Sequence, residues 1–179
     1  RGVKMSKGLL TTSVGSFPKP DYLVKARSKA ARGEITSEEL EALGRKATEH
    51  WIRLQEEIGL DILVDGEMNR GDMVTYFSEH MEGFEISGLV RSYGNRYYRK
   101  PIAVGPVGSK GEITVEWWKY AQGLTDRPIK GMLTGPYTIA DWSFNEHYPT
   151  RETFILDLAR VIHREALALE KAGAKYIQI

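Results

Sequence analysis

The sequence lacks cysteine, and its charges almost cancel. None of the 179 residues is cysteine, and 25 lysine and arginine residues are balanced by 24 aspartate and glutamate residues, for a formal net charge of +1. The absence of cysteine excludes disulfides, thiolate nucleophiles and metal sites that need sulfur ligands from this chain. Because basic and acidic residues are interleaved, the chain offers no field that would concentrate nucleic acid. We therefore expect no nucleic-acid partner.

Long apolar runs are also missing. No run approaches the roughly 20 residues needed to span a bilayer, and the first ten residues lack the apolar segment of a signal peptide. We therefore expect a cytoplasmic protein with no membrane partner. The hydrophobic fraction of 41% is typical of a globular protein, and the length fits one domain or part of a larger one.

Several signatures of common enzyme classes are absent. There is no GxGxxG after a predicted strand, no Walker loop and no GxSxG elbow, which argues against dinucleotide binding, phosphoryl transfer and serine hydrolysis. The four histidines show neither an i, i+4 nor an H-x-H spacing. We therefore expect no complete metal site within this chain.

Strand and helix patterns alternate along the chain. Apolar or β-branched runs predict four strands, at residues 9–16, 61–65, 129–134 and 174–179. Helical patterns lie between them, at residues 22–31, 36–58, 114–122 and 151–172. Thr36 and Glu39 have the spacing of a capping box, and Gly59 and Gly173 provide helix stops. Residues 73–111 look irregular, with one apolar run that fits a hairpin.

This order predicts an α/β fold in which parallel strands are joined by right-handed helical crossovers. A last strand with nothing after it leaves an open edge, so the pattern favours the first half of a (β/α)8 TIM-type barrel, truncated after strand 4. Residues 1–8 would be an N-terminal extension or a cloning remnant, and residues 9–179 the partial barrel. The alternative is a complete, open doubly wound domain that ends on an edge strand.

The carboxyl ends of the predicted strands indicate where a ligand would bind. Ser16 follows the first strand, Glu67 the second and Trp142 the third. A carboxylate can pair with an ammonium group, and a serine hydroxyl or amide can bind a carboxylate, so an amino acid would suit Ser16 and Glu67. The alternatives are an ordinary turn for Ser16, a solvated salt bridge from Glu67 to Arg70, and a core position for Trp142.

Five separated stretches carry a family resemblance in their order and spacing. They are TTSVGSFP at 11–18, QEEIGLDILVDGEMNRGDMVTYF at 55–77, RSYGNRYYRKP at 91–101, KGMLTGPYTIADWSF at 130–144 and LEKAGAKYIQI at 169–179. Together they resemble the C-terminal catalytic barrel of cobalamin-independent methionine synthase, over nearly the whole chain from about residue 9.

The resemblance implies methyl transfer to the thiol of homocysteine, giving methionine, in a barrel whose zinc ion binds the thiolate and lowers its pKa. By the family pattern, Ser16 would hold the substrate carboxylate and Glu67 its ammonium group. Arg96 and Trp142 would match residues that contact the pterin of the methyl donor. The zinc ligands of the family are a histidine, two cysteines and a glutamate, and we expect them beyond Ile179, in the second half of the barrel.

Two departures from the family affect the methyl donor. Tyr97 stands where many members place a cysteine, which weakens the match to a pterin contact. The chain also resembles the short, single-barrel form. The donor is therefore either 5-methyltetrahydrofolate or a methylcorrinoid, the latter supplied free or by a corrinoid protein.

Two other functions compete with this interpretation. A half-barrel that keeps the amino-acid pocket could be a binding or assembly protein, pairing with itself or a second polypeptide through the open barrel edge. A decarboxylase of the porphyrinogen type shares the barrel fold, but the DGE and SYGNR segments argue against it. If the function is methyl transfer, we expect the isolated 179-residue chain to be inactive with either methyl donor.

Overall fold

The computed structural model describes residues 8–91 and 97–179. Its helices are α1 (Asp21–Ala31), α2 (Ser37–Ile58), α3 (Thr75–Glu79), α4 (Val115–Gln122), α5 (Pro136–Asp141) and α6 (Arg151–Ala172). Its strands are β1 (Met81–Arg91), β2 (Tyr97–Ser109), β3 (Gly131–Met132), β4 (Phe144–Asn145) and β5 (Ile177–Gln178). None of the helices in the described part is long and apolar enough to cross a membrane.

The described residues divide into two compact units, each built from several stretches of chain. Unit 1 contains residues 8–69, Trp117–Gly131 and Ala174–Tyr176. Unit 2 contains the described residues of Arg70–Glu116, together with Met132–Gly173 and Ile177–Ile179.

In unit 1, the first three predicted strands lie side by side in chain order. Thr12 pairs with Ile62, and Leu63 pairs with Ile129, both in parallel. These pairings are single bridges rather than long ladders, so the predicted strands at residues 9–16 and 61–65 are correct in place and direction but too long.

The fourth predicted strand, at residues 174–179, pairs with the third, at residues 129–134, over a short stretch. In unit 1 Gly131 N donates to Tyr176 O at 2.9 Å, and in unit 2 Leu133 N donates to Gln178 O at 2.9 Å. Donor and acceptor both advance by two residues, which is the pattern of parallel strands. The regular part of β3 ends after Met132 because Gly135 already begins the entry into α5.

The long helices begin and end where their sequence signals predict. At the start of α2, the Thr36 hydroxyl accepts from Glu39 N at 3.2 Å, and the Glu39 carboxylate accepts from Thr36 N at 2.8 Å. This reciprocal pair satisfies two backbone donors that the first turn leaves open. Gly59 and Gly173 end α2 and α6 in the left-handed conformation, with φ of 92° and 108°.

The core of unit 1 includes a cluster that joins α1, α2 and the turn after the second predicted strand. Leu23, Ala47 and Met68 are almost fully buried there. The partly buried side chains of Phe17 and Trp51 pack against this cluster, so apolar burial fixes the loop that carries Phe17.

Unit 2 contains a three-stranded sheet in the order β1-β2-β4. β1 and β2 form a long antiparallel hairpin, and β2 pairs with β4 in parallel. The hairpin expected from the apolar run within residues 73–111 is confirmed, whereas the irregular structure expected for the rest of that segment is wrong over β1. Bulges between Glu82 and Phe84 and between Ile86 and Leu89 interrupt the two-residue alternation that would have revealed β1.

A buried carboxylate organises another part of unit 2. Glu165 of α6 is 3% exposed and accepts from Ile113 N at 2.9 Å and from Thr114 N at 2.6 Å. It also accepts from the Thr114 hydroxyl at 2.7 Å. These three bonds satisfy donors just before α4, so Glu165 has a structural role in this unit.

Candidate functional site

A backbone hydrogen bond joins the two turns that carry Ser16 and Glu67. Phe17 N donates to Gly66 O at 3.1 Å. Ser16 immediately precedes the donor residue, and Glu67 immediately follows the acceptor residue. The structure therefore joins the two turns that carry these residues, although Ser16 and Glu67 are 51 positions apart in the sequence.

Phe17 and Gly66 pack closely where the two turns meet. The Phe17 ring lies 4.9 Å from the Trp51 ring, centroid to centroid, which anchors the first turn in the core of unit 1. Gly66 has φ of +73°, and a Cβ added there would lie 3.0 Å from Phe17 Cδ2. The backbone conformation favours glycine at this position, and a side chain there would also force the Phe17 ring to shift by a few tenths of an ångström.

Glu67 lies in a strained and buried turn. Its φ is 60°, and the left-handed region costs a residue with a side chain roughly 1–2 kcal/mol. The turn is supported by Glu67 N, which donates to Asp65 Oδ1 at 2.9 Å. Strain of this kind is concentrated at functional sites.

The alternative of a solvated Glu67–Arg70 ion pair stays a prediction. Glu67 in unit 1 is 9% exposed, and Arg70 in unit 2 is 4% exposed. Within unit 2, the Arg70 guanidinium lies 5.5 Å from the ring centroids of Tyr76 and Phe77.

Ser16 is exposed on its turn. The preceding Gly15 has φ of +83°, which the turn after the first segment requires. This geometry is compatible both with an ordinary turn residue and with a hydroxyl that meets a ligand from solvent, so the binding role of Ser16 stays a prediction.

Lys130 contacts the first predicted strand in unit 1. It was not predicted as a site residue. Its Nζ donates to Ser13 O at 2.8 Å, although the two residues are 117 positions apart. Lys130 is 7% exposed, and burial lowers the pKa of its ammonium group below the ordinary 10.5. A lysine inside the apolar run of residues 129–134 was the available sequence signal.

In unit 2, Trp142 lies at the carboxyl end of α5 and is half-buried. Its ring is 5.7 Å from the Tyr98 ring, centroid to centroid, at an interplanar angle of 58°. The stacking role of Trp142 and the alternative of a core position both stay predictions. Arg96, the other predicted donor contact, lies outside the described residues.

Polar contacts fix the backbone around Tyr98. Asp72 Oδ1 accepts from Thr75 N at 3.0 Å, and the Thr75 hydroxyl donates to Arg99 O at 2.7 Å. Burial raises the pKa of the Tyr98 phenol, and the Asp72 charge raises it further. Tyr98 therefore remains protonated at neutral pH and can donate a hydrogen bond.

The described residues of this chain do not fit a zinc ion. Within residues 8–91 and 97–179, no group of three or more histidine, aspartate and glutamate side chains could hold a metal. The full sequence also lacks cysteine. A zinc ion in the complete protein would need ligands from elsewhere.

Parallel segments in chain order, with helices between them, define an α/β protein. The family model described as "Cobalamin-independent synthase, Catalytic domain" matches residues 9–179. The chain belongs to the cobalamin-independent methionine synthase family, which confirms the resemblance found in its motifs.

Two relatives are named 5-methyltetrahydropteroyltriglutamate–homocysteine methyltransferase. The protein from Mesorhizobium japonicum is 48% identical over 171 residues, which cover 94% of this chain and 22% of the relative. The protein from Caulobacter vibrioides is 48% identical over 173 residues, with coverage of 96% and 22%. The chain thus spans about a fifth of the length of these relatives.

A solved structure shares the fold. It is a B12-independent methionine synthase from Shewanella sp. W3-18-1 in complex with selenomethionine, with a TM-score of 0.80 and 31% identity. The match covers 94% of this chain and 50% of that chain. The prediction of an α/β fold with parallel strands is confirmed at this level.

Proposed function

We propose that this chain forms the first half of a (β/α)8 methionine synthase barrel and binds the homocysteine whose thiol receives the methyl group. The observation that carries the proposal is the hydrogen bond from Phe17 N to Gly66 O, which joins the turns of Ser16 and Glu67. In this proposal Glu67 binds the ammonium group of the amino acid, and Ser16 binds its carboxylate.

The environment of Glu67 supports this role. A carboxylate that is 9% exposed loses most of its hydration, so an ammonium group is a favourable partner for it. The left-handed backbone holds the residue in position before the ligand arrives, which reduces the entropy lost on binding.

Trp142 contributes to the methyl-donor site in this proposal. It is half-buried against Tyr98, so part of its ring remains accessible for stacking on a pterin. The names of the relatives contain a pteroyltriglutamate donor, which favours 5-methyltetrahydrofolate in polyglutamyl form. A pterin contact from Arg96, a methylcorrinoid or corrinoid-protein donor and a cytoplasmic location stay predictions.

The isolated chain and the complete protein should differ in their ability to form methionine. Because the described residues of this chain do not fit zinc, we expect the isolated chain to form no methionine even with added zinc, while the complete protein does. Methionine formation from homocysteine and a methyl donor, measured for both, is the test. Robust turnover by the isolated chain would contradict the half-barrel proposal.

Substitutions at Glu67 and Ser16 test the binding roles in the complete protein. We expect Glu67→Gln to raise the KM for homocysteine at least tenfold, because a buried charge pair is lost, and Ser16→Ala to raise it less. Glu79→Gln, at an exposed acid, is the matched control. An unchanged KM in Glu67→Gln would show that Glu67 does not bind the substrate.

Pairing of this chain with itself or with a second polypeptide stays a prediction. Light scattering of the isolated chain tests for self-association: a dimer supports it, and a monomer at all concentrations contradicts it.

A further inference from the structure

Hydrogen bonds hold the backbone on both sides of Glu67. Before it, Gly66 O accepts from Phe17 N at 3.1 Å. After it, Met68 O accepts from the Arg27 guanidinium, with Nη2 at 2.8 Å. Glu67 has φ of 60°, and a left-handed backbone of this kind persists only where the surrounding structure fixes it. The two bonds therefore restrain the strained turn at the residues adjacent to Glu67.

Arg27 reaches this turn from the face of α1 that packs into the core of unit 1. Leu23 precedes Arg27 by four residues, so the two side chains lie on the same face of the helix. Leu23 and Met68 are 1% and 0% exposed and belong to one apolar cluster. Met68 is thus held through its side chain by the cluster and through its carbonyl by Arg27.

The hydrogen bonding of Arg27 is directed at this carbonyl. Within residues 8–91 and 97–179, Arg27 donates to Met68 O alone, and its Nε is buried without an acceptor. Burial lowers the pKa of the guanidinium below the ordinary 12.5, because it disfavours the charged form. An apolar side chain would avoid this cost, so helix packing alone does not explain an arginine here. The bond to Met68 O does, since a charged donor binds a carbonyl more strongly than a neutral one.

We propose that Arg27 is a positioning residue for Glu67. Its bond to Met68 O holds the left-handed turn in the conformation in which the Glu67 carboxylate meets the ammonium group of the amino acid. The inference rests on the proposed function, since Glu67 is taken as the residue that binds this ammonium group. Arg27 acts through the backbone of the turn and contacts no substrate itself.

Arg127 provides a matched control at the other end of the second predicted strand, residues 61–65. Its Nη1 donates to Leu60 O at 2.9 Å and to Glu56 O at 3.2 Å. Leu60 directly precedes the strand, whereas Met68 follows it. Both arginines therefore bind backbone carbonyls in unit 1, but the bond of Arg127 lies away from the Glu67 turn.

The experiment measures the KM for homocysteine, the KM for the methyl donor and unfolding in urea, all with the complete protein. We expect Arg27→Met to raise the homocysteine KM about fivefold, because the Glu67 carboxylate is no longer held in place, and to leave the donor KM unchanged. Arg127→Met should lower the stability to a similar extent and change neither KM. Arg27→Lys, whose ammonium group can still donate to a carbonyl, should recover part of the lost affinity.

A double variant tests whether Arg27 acts through Glu67. In the Glu67→Gln background, Arg27→Met should raise the homocysteine KM no further, since the charge that it positions has been removed. Independent, multiplying effects of the two substitutions would overturn the inference. If Arg27→Met does not fold, Arg27→Lys and Arg127→Lys provide the same comparison with smaller effects.

An unchanged homocysteine KM in a folded Arg27→Met variant, or an equal rise in Arg127→Met, would also overturn the inference. The proposed function fails in a different way, since Glu67→Gln alone would then leave the homocysteine KM unchanged. The two failures are therefore distinguishable in the same set of variants.

Discussion

In unit 1 the predicted site residues lie on turns that the backbone ties together, whereas in unit 2 the contact is made between aromatic side chains. The Phe17–Gly66 hydrogen bond and the left-handed Glu67 leave little freedom around the proposed amino-acid site. The Trp142–Tyr98 contact is one between two aromatic side chains, with ring centroids 5.7 Å apart. Substitutions should therefore affect unit 1 through stability and binding together, and unit 2 through binding alone.

The largest effect is expected at Gly66. Gly66→Ala combines a left-handed φ with a Cβ 3.0 Å from Phe17 Cδ2. We expect the free energy of unfolding to fall by about 2–4 kcal/mol, with loss of amino-acid binding. Urea unfolding of the complete protein measures it, and Gly88→Ala in β1, where an added Cβ meets nothing within 4 Å, is the control. Equal stability of the two variants would show that the contact between Gly66 and Phe17 does not restrict the side chain at position 66.

A smaller and more selective effect is expected at Trp142. Trp142→Ala should raise the KM for the methyl donor about tenfold, because a stacking surface worth on the order of 1 kcal/mol or more is lost. The KM for homocysteine should stay the same. Tyr137→Ala removes an exposed aromatic side chain of α5 and should change neither constant. A rise in the homocysteine KM for Trp142→Ala would show that Trp142 also affects amino-acid binding, contrary to this prediction.

The smallest effect concerns Lys130 and pH. Burial lowers the pKa of Lys130 in the folded state, so between that value and 10.5 the unfolded chain holds a proton that the folded chain has released. Stability from this group therefore rises with pH across that window and is constant below it, with a slope of at most about 1.4 kcal/mol per pH unit.

Lys130→Met should flatten this rise. Urea unfolding at several pH values below about 10 compares it with the unsubstituted protein and with Lys119→Met, at an exposed lysine of α4. Lys119→Met should keep the rise. Parallel stability curves for all three proteins would show that Lys130 has the same protonation in both states.

Local signals predicted some elements well. The α2 boundaries follow from Thr36, Glu39 and Gly59, because capping bonds and a left-handed stop involve only neighbouring residues. The proximity of the Ser16 and Glu67 turns followed from the rule that ligands bind at the carboxyl ends of parallel strands.

Features that depend on distant partners could not be predicted. The bulges of β1 obscure its alternation, so the first strand of the expected hairpin and the full length of the hairpin were not predicted. The bond from Lys130 to Ser13 joins residues 117 positions apart, and no local pattern indicates such a pair. The close fit of Gly66 against Phe17 likewise appears only when the two turns have met.

The most direct test of the central claim is a crystal structure of the complete protein with bound L-selenomethionine, whose selenium is located by anomalous scattering. We expect the ammonium group of the ligand within hydrogen-bonding distance of the Glu67 carboxylate, and the ligand carboxylate next to the Ser16 turn. An ordered selenomethionine that contacts neither residue would contradict it.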